Sequence, residues 1–156
     1  MISGLFGMQE DVGEAEETRK EKDNFSQESG EAKWKAEKAK LRGDAALKRA
    51  RYAAALSAYT QARGFDPNDP TLLSKRSLCF IQLGEAKHAL IDARDCIALR
   101  PDWSKAWYRE GAALHLLQRF EEAAISFYEG VKLEPENEEL VHAFREAFEA
   151  ARKFRQ

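Results

Sequence analysis

Three prolines in this chain stand at a fixed interval: Pro67, Pro101 and Pro135 are 34 residues apart, with no insertion or deletion between them. Each follows a charged residue that closes an apolar helical pattern, in Phe65-Asp66-Pro67, Leu99-Arg100-Pro101 and Leu133-Glu134-Pro135. Proline lacks an amide proton and clashes with the preceding turn, so each marks the stop of a helix and a change of direction. A chain that repeats itself at this interval must build the same unit three times, which constrains the fold more than composition does. Taking the proline as position 32 of the unit gives repeats 36–69, 70–103 and 104–137.

Other positions fall into line in this register. Position 8 is small (Gly43, Ser77, Gly111), position 20 is alanine throughout (Ala55, Ala89, Ala123), and position 27 is small again (Ala62, Cys96, Gly130). Antiparallel helices approach closely only where one of them offers small side chains. Larger groups at positions 4, 24 and 30 (Leu73, Trp107, Tyr59, Phe127, Phe65, Leu99, Leu133) are expected to fill the gaps between neighbours. The pattern predicts helix pairs at 32–48 and 52–65, 70–84 and 86–99, and 104–117 and 120–133. Beyond Pro135, Leu140, Phe144, Ala147, Phe148, Ala151 and Phe154 fall on one stripe, which predicts an amphipathic capping helix over 138–155 with these side chains as core.

Residues 1–30 read differently. Acidic groups dominate (Glu10, Asp11, Glu14, Glu16, Glu17, Glu21, Asp23, Glu28), with few large apolar ones, so the segment is expected to be a disordered acidic tail. Ser29 is placed to cap the first helix of a domain spanning 31–155.

Composition narrows the function. The formal net charge of -2 offers no basic face for nucleic acid. No apolar run approaches the ~20 residues of a membrane span, and the short apolar start is followed by Glu10, Asp11 and Glu14 rather than by a signal-peptide core. Cys79 and Cys96 are far apart and form no CxxC, and His88, His115 and His142 lack metal-ligand spacing. The cysteines read as small apolar residues of a reducing compartment, and His115 as a packed or groove-edge side chain. With no phosphate loop and no catalytic constellation, the expectation is a monomeric, cytoplasmic binding protein, the nucleus left open. It is not an enzyme and needs no metal or cofactor.

The 34-residue period and its small-residue positions resemble the tetratricopeptide repeat (TPR) signature. The resemblance implies an all-α fold, a right-handed superhelix of three helix-turn-helix repeats plus a C-terminal capping helix. Its concave groove would be lined by positions 2, 5, 6, 9, 12 and 13 of each first helix. Those positions include Lys40, Asp44, Lys75, Lys105 and Arg109, four cations against one carboxylate in an acidic chain. Lys40/Asp44 and Lys105/Arg109 are each one helical turn apart. Such a groove suits an anionic ligand.

The spacing of these five is similar to that of the carboxylate-clamp TPR domains of co-chaperones, which bind the C-terminal EEVD-type peptides of Hsp90 and Hsp70. The family carries Lys, Asn, Asn, Lys and Arg at these places, so Lys40, Lys105 and Arg109 match while Asp44 and Lys75 depart. The resemblance implies that the two amides help hold the peptide's terminal carboxylate. Asp44 would repel that group and Lys75 attract it, or the two could pair with each other. The reading is therefore a co-chaperone-like adaptor for an acidic C-terminal peptide. The alternative is a generic TPR scaffold that receives some other peptide or helix. The runs Thr71–Cys79 and 99–140 also resemble the C-terminal TPR module of plant ankyrin-repeat/TPR proteins, a similarity over residues 36–154. Residues 1–30 are too few for one ankyrin unit.

Overall fold

The computed structural model describes residues 2–155, with side chains described for 19–22 and 27–155. Seven helices follow in order: α1 (Ile2–Lys48), α2 (Tyr52–Phe65), α3 (Pro70–Gln82), α4 (Ala86–Leu99), α5 (Ser104–Leu116), α6 (Phe120–Leu133) and α7 (Glu138–Arg155). Each packs on its neighbours in sequence, and α3 also meets α5, two elements further on. That contact order is a solenoid of three helical hairpins closed by α7. The bounds expected for α2, α4, α6 and α7 coincide with those found, and α3 and α5 end one or two residues early.

The turns inside the hairpins repeat as faithfully as the prolines. Ala50, Gly84 and Gln118, 34 residues apart, share a left-handed backbone with φ of 55°, 77° and 60°. One residue on, the amides of Arg51, Glu85 and Arg119 donate to the carbonyls of Ala46, Phe80 and Leu114 at 2.9, 2.8 and 2.9 Å. This closes the last carbonyls of α1, α3 and α5 in the same way each time. Only Gly84 adopts the conformation without steric cost; Ala50 and Gln118 hold it at roughly 1 kcal/mol each.

Packing inside each hairpin shows how the small positions work. A Cβ added to Gly43 would stand 2.5 Å from the Tyr59 ring, and one added to Gly111 would stand 2.5 Å from the Phe127 ring. The middle repeat solves the same contact the other way. Ser77 replaces the glycine, Ala93 replaces the aromatic, and the serine hydroxyl donates to the Ala89 carbonyl at 2.8 Å. The serine takes back only part of the space that the missing ring leaves, so the two helices meet there through a smaller pair. The buried carboxylate of Asp92 fastens three helices, taking two 2.6 Å bonds from Arg76 of α3 with Arg63 of α2 at 3.7 Å.

Three expectations need correction. Residues 2–30 are not an irregular tail, because α1 extends back to Ile2 and Ser29 is inside it rather than at its start. Composition argued that this segment buries little, which says nothing against helix: no proline precedes Pro67, and pairs such as Glu16/Lys20 and Glu31/Lys35 sit at helix-supporting spacing. Met1 and the side chains of 2–18 and 23–26 lie outside the described residues. Second, the position-30 residues Phe65, Leu99 and Leu133 are about two-fifths exposed, at 42%, 41% and 41%. They end α2, α4 and α6, where the chain turns away and only one side is covered. Third, two of the α7 aromatics are not core: Leu140 and Ala147 are buried and Phe144 packs against the core, whereas Phe148 and Phe154 are 54% and 70% exposed. The stripe is wider than the surface that α5 and α6 offer it.

Candidate functional site

Side chains from α1, α3 and α5 meet on one face of the solenoid. Asp44 of α1 accepts hydrogen bonds from Lys75 Nζ of α3 at 2.9 Å and from the Tyr59 hydroxyl at 2.6 Å. One turn earlier, Lys40 Nζ donates to Asp69 Oδ2 at 2.8 Å, with Glu37 at 3.8 Å. Arg109 of α5 donates from Nε to the hydroxyl of Ser74 at 3.3 Å, the residue next to Lys75. Lys105 joins Arg109 around a cavity of about 440 Å³ whose walls include Tyr108, Asn137 and Glu139, where α5 meets the start of α7. The five residues singled out from sequence thus fall into two clusters along adjoining helices: Lys40, Asp44 and Lys75 at the α1/α3 end, Lys105 and Arg109 at the α5/α7 end.

The two clusters differ in charge balance. At the α1/α3 end, burial opposes ionisation of Asp44, but the bonds from Tyr59 and Lys75 and the charges of Lys75 and Lys40 prevail and hold its carboxyl below the usual range. Lys40 is likewise partly desolvated, yet the bond and charge of Asp69, with Glu37 and Asp44 nearby, raise its pKa. Both lysines are matched by carboxylates of the chain itself. At the other end, burial draws the Arg109 guanidinium down from its ordinary value, and the nearby Tyr108 and Glu139 do not restore it. Among the described residues neither Arg109 nor Lys105 makes an ion pair. A desolvated cation outside any ion pair attracts an incoming anion, even with Glu134 and Glu139 on the same cavity wall.

Two partners of these residues were missed from sequence. Asp69 caps α3, accepting from the Thr71 and Leu72 amides at 3.0 and 3.4 Å through the oxygen that Lys40 does not use. The Asp69-Pro70 pair is a legible helix start, but its reach to Lys40 is not. The sequence pattern gives Tyr59 a packing role only, and its hydroxyl also holds Asp44; burial first, then Asp44, raises its pKa. His115 stacks edge-on to Phe120 at 5.0 Å. Burial lifts the thiols of Cys79 and Cys96 to about 11, so both stay protonated. Among the described residues no group of His, Cys, Asp and Glu is placed to hold a metal ion, and no helix is long and apolar enough to cross a membrane.

The tetratricopeptide-repeat pattern matches residues 104–137. The first TPR of Spaghetti (RPAP3), solved bound to the HSP90 peptide SRMEEVD, superposes with a TM-score of 0.73 at 31% identity, over 76% of this chain and 94% of that one. The chain is a TPR domain. It is 38% identical over 110 residues to the heat shock protein sti1 homolog of Schizosaccharomyces pombe, covering 70% of this chain and 19% of that protein. It is 39% identical over 118 residues to Hsp70-Hsp90 organizing protein 3 of Arabidopsis thaliana, covering 76% and 21%. The TPR domain therefore spans about a fifth of the length of these relatives.

Proposed function

We propose that this TPR domain is an adaptor that binds the acidic C-terminal peptide of Hsp90 or Hsp70 in its concave groove, acts in the cytosol and catalyses nothing. The observation that carries the reading is the desolvated Arg109 beside Lys105, neither of them in an ion pair among the described residues although Glu134 and Glu139 share the cavity wall, with Arg109 bonded to Ser74 next to Lys75. An acidic peptide supplies the missing anion. Each charge-assisted hydrogen bond so formed contributes about 1.5–3 kcal/mol. Similarity to a TPR domain solved with SRMEEVD supports the choice of ligand.

A second reading rests on a different observation. The pairs Lys40–Asp69 and Asp44–Lys75 neutralise the α1/α3 end, which suits a scaffold whose ligand carries fewer or differently placed carboxylates. Calorimetric titration of the full chain with SRMEEVD as free acid and as C-terminal amide separates the two. A clamp gives micromolar binding, about -8 kcal/mol, that salt weakens and amidation largely removes. Equal affinity for acid and amide would favour the scaffold, and no binding of either would reject the chaperone peptide.

A further inference from the structure

The outer groove between α6 and α7 has the form of the inter-repeat seam that α6 itself fills one unit earlier. Residues 34 apart can be compared directly. At the inner seam, Leu114 of α5 is buried beneath α6 with Ala123, Ala124 and Phe127. Glu110 of α5 is held there by Arg94 of α4 at 3.4 Å and by the Ser126 hydroxyl of α6 at 2.6 Å. At the outer seam the counterparts of Leu114, Glu110 and Arg94 are Phe148, Phe144 and Tyr128. Tyr128 and Phe144 pack against each other at 5.7 Å, but Phe148 is 54% exposed and Ile125 63% exposed. A polar, satisfied seam has become an aromatic one lining an open groove of about 570 Å³. Contiguous exposed apolar surface of this kind marks an interaction site.

Charge says what fits. The last turn of α7 carries Arg152, Lys153 and Arg155. Among the described residues Lys153 makes no ion pair, while Arg152 reaches Glu149 at 2.8 Å and Arg155 reaches Glu121. Both are exposed pairs of the weak kind that an incoming carboxylate can share. A helix lying antiparallel to α7 starts beside that turn, so an acidic first turn suits both its own dipole and these cations. The helix that plays this part against α5 is α6, and it begins with Glu121 and Glu122 and then the small pair Ala123 and Ala124. A second copy of α7 fits less well, since two such helices paired antiparallel about Phe148 bring Arg145 of each beside Arg152 of the other. We infer that the α6/α7 groove docks an amphipathic α-helix of a partner protein, one with an acidic first turn and small residues on its apolar face. The site is separate from the concave groove and does not depend on its ligand.

The probe is a fluorescein-labelled, hydrocarbon-stapled peptide carrying the α6 sequence 119–135, titrated against the full chain by anisotropy. Saturable micromolar binding is expected. Phe148→Glu and, separately, Ile125→Lys each weaken it by about tenfold or more, because each charges one wall of the groove. Both positions are exposed, so melting curves of the variants match the parent. Joint reversal of Arg152 and Lys153 to Glu weakens binding severalfold, whereas Lys105→Glu leaves it unchanged. Failure to saturate, binding that survives both wall substitutions, or displacement by SRMEEVD overturns the inference. So does a wild-type dimer in sedimentation that Phe148→Glu splits, since the occupant would then be a second copy.

Discussion

At the α1/α3 end of the concave groove the cations are held by the domain's own carboxylates; at the α5/α7 end they are not. The two ends use equivalent places in the repeat. Position 5 of one repeat meets the residue that caps the next first helix: Lys40 meets Asp69 at 2.8 Å, whereas 68 residues on the corresponding residues are Tyr108 and Asn137, neither of them charged. Position 6 behaves the same way. Lys75 finds Asp44, while Arg109 finds only the hydroxyl of Ser74. The repeat geometry delivers cations to a common face, and the residue opposite each one decides whether it is available. An anion approaching this groove meets two lysines already in ion pairs and two cations in none, the latter with Glu134 and Glu139 on the same cavity wall.

The sharpest way to break this asymmetry is to reverse its free end. Lys105→Glu together with Arg109→Glu should lower affinity for SRMEEVD by about 100-fold or more, since two charge-assisted contacts become repulsions. Lys105→Glu alone, at an exposed site, should account for most of a tenfold loss without changing the melting curve. The matching change at the other end, Lys40→Glu, should cost peptide affinity far less and stability more, because it strands Asp69 at the α3 cap. Equal losses of affinity at the two ends would show that the resident ion pairs yield freely to ligand.

A smaller effect sharpens the comparison from the other side. Asp44→Asn keeps an acceptor for the Tyr59 hydroxyl and removes the charge that engages Lys75. Affinity for the free-acid peptide should rise by about tenfold, one charge-assisted bond's worth. The gain should vanish when Lys75→Asn is added, because the freed ammonium is its source; a gain that persists would place the effect in simple removal of negative charge.

These residues show how far sequence reading reached. The 34-residue period fixed which side chains share a face, because a helical hairpin of constant length leaves position and orientation little freedom. It also allowed, without deciding, the Asp44–Lys75 pair. What it missed depends on contacts between elements. Asp69 was visible as a helix cap, but its second role needs the start of α3 to lie beside the middle of α1. Tyr59 was visible as an aromatic opposite Gly43, but the hydroxyl's partner depends on how far the ring reaches past that glycine. The α7 stripe misled for a related reason. Periodicity gives the width of an apolar face and not the width of the surface available to cover it, so Phe148 and Phe154 were counted as core.

Acid separates the two ends most weakly, and the direction follows from Asp44. Its carboxyl lies below its ordinary value of 3.8 in the folded chain, so ionised Asp44 stabilises the fold. That contribution is fully present above the ordinary value and is lost as pH falls through the lower, folded one. Lys40 has the opposite behaviour. Its pKa is raised from 10.5, so its contribution is complete throughout acid and neutral conditions and is lost only in strong base. The difference in melting temperature between the parent and Asp44→Asn should then be constant from about pH 8 to about pH 5 and shrink below about pH 4. Parallel melting profiles for the two proteins through the acid range would mean that Asp44 is not held in its ionised form by Lys75 and Tyr59. The neutralised end of the groove would then be neutral for some other reason.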